Sequence, residues 1–168
     1  RDNGMSGPKR LSVYAALSLT VASSAIAAEA LVTKGDESYR FVVSQCLQDI
    51  AIPGSPSRVD LQLDGVPAET PAAIIEKLRG VTNDPAAAGK LLQEVVRAGP
   101  VLSVTRLRDG GDMIGVTDLR ETNWTSDPAV TDASARFLEL ERSGTTLHVK
   151  AETMSDGEVV TLKAECPN

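Results

Sequence analysis

The sequence predicts an α+β fold: an antiparallel β-meander of about five strands with N-terminal helices packed on one face, tied by one Cys46–Cys166 disulfide. Three observations predict it. Apolar residues recur at helical spacing up to Gly99, the spacing changes to two from Val101 onward, and the cysteines lie near opposite ends of the folded part.

The fold argument starts at residue 28, because the residues before it read as a secretory leader. Residues 1–4 precede Met5 and are set aside; Lys9 and Arg10 then form a basic start, Leu11–Val21 an apolar run, and Ala25-Ile26-Ala27 a small-x-small cleavage site. A membrane anchor is the alternative, but the 18 residues from Leu11 to Ala28 include four serines and a threonine, and no basic cluster follows them. Residues 1–27 are therefore expected to be a signal peptide, residues 28–168 one α+β domain, and the location periplasmic or secreted, with no stable membrane span after cleavage. The alanine-rich leader has a bacterial look.

After a short linker, Tyr39, Val42, Val43, Cys46 and Ile50 fall at helical spacing, with Asp36 and Glu37 at the positive end, so 36–50 is expected to be a helix that buries Cys46. Pro53, Gly54 and Pro56 end it. Val59, Leu61 and Leu63 alternate with polar residues, giving a strand over 58–64 that joins an edge of the sheet. Thr70-Pro71 opens a helix carrying Ile74, Ile75 and Leu78, and Asn83-Asp84-Pro85 opens another carrying Leu91, Leu92, Val95 and Val96. Together these form a helical hairpin.

Strands follow over Val101–Arg108 and Met113–Arg120, flanking Asp109-Gly110-Gly111-Asp112, whose glycines are free to take positive φ. A loop with Trp124 comes next. Ala135–Arg142, Thr146–Thr153 and Glu158–Cys166 complete the meander, with turns at Ser143-Gly144 and Asp156-Gly157. In the last strand Val160, Leu162, Ala164 and Cys166 share the buried face, which is where a partner for Cys46 is needed. Closing a loop of 120 positions contributes on the order of 4–5 kcal/mol in the chain-entropy model. A redox-active pair would sit close in sequence, as in Cys-x-x-Cys, and these do not.

Composition narrows the chemistry. The chain has 168 residues, 42% of them hydrophobic, which excludes disorder and collagen-like repeats. Its net charge of −6 becomes −8 without the three basic and one acidic side chains of residues 1–27. Such a surface repels nucleic acid and anionic lipid, and only Tyr39, Phe41, Trp124 and Phe137 remain as aromatics for base stacking. Two cysteines and one histidine fall short of a structural zinc set, so neither a metal nor a cofactor is expected.

Single residues carry little chemistry. His148 alternates onto the polar face of its strand beside Lys150, with Thr161 and Lys163 expected opposite rather than an acid. Arg106, Arg108, Asp109, Asp112, Asp118, Arg120 and Glu121 crowd the first hairpin and read first as its wet face, secondarily as a carboxylate pair of the glycosidase type. The Asp-Gly-Gly-Asp turn does not fit a calcium loop. Phosphate-loop and Gly-x-Ser-x-Gly patterns are absent, while Asn123-Trp124-Thr125 fits a glycosylation acceptor. Trp124 either caps one end of the sheet or, with Arg106, Arg108 and Arg120, anchors a protein partner.

The expectation is an exported binding module without catalysis, holding a protein partner or serving an envelope assembly. A carrier of a small apolar ligand is the first alternative, with a pocket between the helices and the inward sheet face built from Ile74, Leu78, Leu92, Val96 and their strand neighbours. A carboxylate-dependent hydrolase is the second.

Overall fold

The structure is a computed structural model and describes residues 28–81, 84–118, 123–127 and 134–167. The expected leader and Arg120 lie outside these residues.

The order along the chain is β1 (Glu29–Lys34), β2 (Glu37–Ala51), β3 (Arg58–Pro67), α1 (Ala72–Gly80), α2 (Pro85–Ala98), β4 (Val101–Leu107), β5 (Asp112–Thr117), β6 (Asn123–Thr125), β7 (Leu138–Ser143), β8 (Thr146–Ser155) and β9 (Glu158–Pro167). All nine strands join one antiparallel sheet in the order β6-β5-β4-β3-β2-β1-β9-β8-β7. This corrects the α+β expectation. The described residues form mostly one large sheet with two short helices, and those helices are inserted between β3 and β4 rather than preceding the sheet.

The residues expected to form the first helix are the strand β2, and the reason is local. Val43 pairs with Gly65 and Gln45 with Asp64, so Ser44 is an extra residue in a β-bulge. Before the bulge, Phe41 and Val43 point inward at 1% and 3% exposure; after it the parity shifts, and Cys46 lies opposite the fully buried Leu63. Val42 also packs, on the other face, under the helices. Apolar residues at 39, 42, 43, 46 and 50 thus imitate helical spacing, although they come from a strand buried on both faces and broken in phase.

Two further expectations change with it. The segment 28–35 is no linker: β1 sits between β2 and β9, and Gly35 turns the chain with φ +56°. The strand over 58–64 is central, between β2 and β4, not an edge.

The helical hairpin and the later hairpins form close to their expected places. Asp84 caps α2, accepting from the N–H groups of Ala86 and Ala87 at 3.1 Å. For α1 the N-cap is Pro71, one residue beyond the expected Thr70, and no side chain caps it. Asp156-Gly157 turns with positive φ at both residues. In the β4–β5 connection no such φ is needed: neither Gly110 nor Gly111 adopts one.

The sheet curls until its edges meet. Asp112 N donates to Ala135 O at 3.0 Å, Asp127 N to Met154 O at 2.8 Å, and Ser155 Oγ to Thr125 O at 2.8 Å. These bonds cover backbone groups that edge strands would otherwise leave open. One apolar core fills the inside, with Val32, Leu61, Leu63, Val104, Ile114, Val116, Val149 and Val160 at 0% exposure. The outward positions of β8 carry His148, Lys150 and Glu152.

Cys46 and Cys166 are joined by a disulfide, with Cα atoms 5.7 Å apart and Cys166 fully buried. The bond clamps the part of β2 that runs past β1 to the end of β9. We expect Cys46→Ala/Cys166→Ala to lower the unfolding free energy by about 3–5 kcal/mol, read from the midpoint of urea melts.

Candidate functional site

The two helices pack on the outer face of the sheet, where Val66, Ile75 and Val95 form a second small core with Val42, Ile74, Leu78 and Val101 around it. The bulge fixes their position. It leaves the carbonyls of Val43 and Ser44 outside the regular ladder, and Arg79 of α1 reaches both, with Nη2 3.2 Å from Val43 O and Nε 3.2 Å from Ser44 O. A third nitrogen, Nη1, donates to Glu76 at 2.7 Å.

Held there, the hairpin does not close fully on the sheet. A cleft of about 430 Å³ remains between Leu78, Ala88, Gly89 and Leu92 on the helices and Ser44, Asp64, Val66, Val101 and Ser103 on the sheet. Its volume is in the range of small-ligand sites. Leu92 is 44% exposed at its mouth. A Cβ built on Gly89 would meet nothing within 4 Å, so this helical glycine leaves open space.

Asp64 is the one carboxyl among the described residues of the cleft wall. It lies on the outer face of β3, directly opposite Ser103, and Gln62 Nε2 donates to its Oδ1 at 2.6 Å. Thr105 Oγ1 in turn donates to Gln62 Oε1 at 2.8 Å, and Gln62 Nε2 lies 3.1 Å from Ser103 Oγ. Ser44 Oγ donates to the Asp64 carbonyl at 3.1 Å. Burial pushes the Asp64 carboxyl above the usual carboxylate range, and the neutral hydrogen bonds of Gln62 and Ser103 only partly oppose this.

The pocket expected between the helices and the inward sheet face is not where the cleft lies: the cleft is on the outer face and shares two residues with the expected set. Leu78 and Leu92 line it, Ile74 instead faces a separate recess of about 100 Å³ with Glu69 and Val95, and Val96 is half-buried. Asp64 and Ser44 were not legible as site residues. Asp64 reads as an ordinary wet position of an alternating strand, and the available signal was the run Gly65-Val66-Pro67, where alternation stops because both faces become covered.

Of the described residues singled out from sequence, Arg106 and Asp112 come together, while Arg108, Trp124 and His148 lie apart from them. Arg106 shares the inner face of β4 with Leu102 and Val104, and its guanidinium grips Asp112 in a two-pronged pair, Nε to Oδ1 at 2.7 Å and Nη2 to Oδ2 at 2.6 Å. Asp112 also accepts from the N–H groups of Phe137 and Leu138 at 2.8 and 2.7 Å, and Arg106 donates to Leu138 O at 2.6 Å. The pair therefore joins the β4–β5 hairpin to the start of β7. Burial alone would raise the Asp112 carboxyl; the Arg106 guanidinium and the Leu138 and Phe137 N–H groups outweigh it and hold the carboxyl below its ordinary value.

Arg108 lies on the surface, with Nε 2.8 Å from Asp60 and Nη2 2.6 Å from Asp49. Trp124 is 8% exposed, opposite Val116 on the inner face, with the Tyr39 ring 6.4 Å away and Lys34 Nζ 5.6 Å from its centroid. Its Nε1 has no hydrogen-bond partner among the described residues. His148 faces acids on both sides, since it pairs with Glu165 of β9 and Glu141 of β7, and its Nδ1 is 3.7 Å from Glu165 Oε1. The registers set by the Ser143-Gly144 and Asp156-Gly157 turns place these acids, and not Thr161 and Lys163, opposite His148. Among the described residues there is no group of three metal-ligating side chains, and no helix is long and apolar enough to cross a membrane.

No known protein family, curated protein or solved structure matches the chain.

Two outcomes follow. Asp112→Ala leaves the half-buried Arg106 without its counter-charge and should cost about 2–4 kcal/mol in urea unfolding. Because the folded Asp112 carboxyl titrates below its unfolded value, its contribution is complete above about pH 4 and is lost as pH falls through the folded value, so the acid limb of wild type should be reduced in Asp112→Ala, with Asp49 and Asp156 supplying the remainder. Asp64 has the opposite sign. Its raised folded pKa disfavours folding once the group is ionised, so Asp64→Asn should melt at or above the wild-type temperature at pH 7, a difference that vanishes below about pH 4.

Proposed function

We propose that this chain is an exported binding protein that holds a small amphipathic ligand in the cleft between its helical hairpin and the outer face of its sheet. The observation that carries the reading is the cleft itself: about 430 Å³, apolar walls from Leu78, Leu92, Val66 and Val101, and a single carboxyl with hydrogen-bonding neighbours at one side. A few placed polar groups in an apolar concavity are what orients a small ligand. The described side chains inside the sheet form the main apolar core.

Export is supported by the sequence of residues 5–27 and by the disulfide, which persists in an oxidising compartment. Binding is favoured over catalysis by how the charged groups are used. Arg106 and Asp112 join two parts of the sheet, Arg108 is held by two aspartates, and Asp64 has a neutral amide and a hydroxyl as neighbours rather than a nucleophile and base. A small ligand is favoured over a protein because Trp124, the natural anchor for a partner, packs inward.

Gly89→Leu tests the cleft directly. Leucine gains roughly 1 kcal/mol of helix propensity over glycine, so the variant should fold, and its side chain should fill the open space. We expect the neutral dye Nile red to bind wild type with enhanced fluorescence and to bind Gly89→Leu at least about 10-fold more weakly, a loss of roughly 1.4 kcal/mol. Equal binding by the two proteins overturns the reading.

A further inference from the structure

Among the described residues of the cleft wall, Asp64 is the one charged group, and its charge has no counterpart there. Its neighbours, Gln62 and Ser103, are neutral, and no basic side chain of the described residues lines the cleft. Arg79 is the basic residue of the adjoining helix, but its guanidinium is turned to the Val43 and Ser44 carbonyls and to Glu76. A carboxylate taken partly out of water is poorly solvated by an amide and a hydroxyl alone; a cation brought by a ligand would restore what burial removes. An anionic ligand would meet repulsion from the same carboxylate and from a chain of net charge −6.

We propose that the cleft takes an amphipathic amine, with its protonated nitrogen against the Asp64 carboxylate and its apolar body against Leu78, Leu92, Val66 and Val101. This rests on the cleft being a ligand site and names the chemistry of its occupant. Charge complementarity sets the orientation: the nitrogen enters toward the sheet, and the apolar body lies under the helices with its far end at Leu92, the exposed residue at the mouth. The Gln62–Thr105 hydrogen bond fixes the amide so that its N–H₂ faces Asp64, leaving the carboxylate as the acceptor for the ligand.

The test compares three probes of one shape, 4-phenylbutylamine, 4-phenylbutanol and 4-phenylbutanoate, by titration calorimetry at pH 7 on wild type, Asp64→Asn and Gly89→Leu. The amine should bind wild type most tightly and lose on the order of 10- to 100-fold in affinity in Asp64→Asn, the size expected for a hydrogen bond to a charged group. The alcohol should be nearly indifferent to that substitution, and Gly89→Leu should weaken both. Thermal melts show whether Asp64→Asn is folded. If the alcohol or the carboxylate binds wild type as tightly as the amine, or the amine preference survives in folded Asp64→Asn, the amine assignment falls, while the cleft reading stands provided Gly89→Leu still blocks. If none of the three probes binds wild type, the cleft reading falls with it.

Discussion

A single additional residue in β2 sets the geometry of both faces of this sheet. Ser44 is accommodated as a bulge, and the phase of β2 changes across it. On the inside, the change turns Cys46 toward the core, where Cys166 of β9 meets it. On the outside, the bulge presents two carbonyls that Arg79 binds, which seats the helical hairpin. Without the shift of phase, position 46 would point outward and the disulfide could not form in this register. The clamp and the cleft thus share one cause.

Closing the sheet demands a second arrangement. A nine-stranded antiparallel sheet that curls around one core brings its end strands together but does not give them a continuous ladder. Side chains fill the gap. Asp112 is fully buried and satisfied by a two-pronged arginine and two backbone donors, so its ionised form is retained inside the protein. Such a pair has little net worth compared with an apolar contact, but losing one member strands the other. Its service is to specify where β7 meets β5.

The division of labour follows. Inside, aliphatic side chains pack; outside, polar residues are interspersed with exposed apolar ones such as Leu31, Met113, Leu140 and Val159, and a second apolar cluster lies beneath the helices. The cleft arises where two short helices, anchored at one end by Arg79 and packed through Ile75 and Val95, leave small residues, Ala88 and Gly89, facing the sheet. Small side chains there leave space that larger ones would occupy. Asp64 borders that space and sits in a less favourable setting for its charge than an exposed aspartate would.

The turns and the later elements were legible locally, whereas the architecture was not. Turn residues fixed the hairpins at Ser143-Gly144 and Asp156-Gly157, the Asp84 cap and Pro85 fixed the start of α2, and strict alternation in β8 and β9 marked their inner faces and placed Cys166 among them. These signals act over a few residues, so sequence alone determines them. The rest depended on contacts between distant segments. Whether Tyr39, Val42, Val43, Cys46 and Ile50 form a helical stripe or a phase-broken strand is decided by pairing with β1 and β3, because the apolar positions satisfy both periods. Likewise Arg106 and Asp112 become a buried pair, and Asp64 a cleft residue, only when β7 and the helices arrive beside them: a residue's burial belongs to its neighbours in space, which no short window of sequence contains.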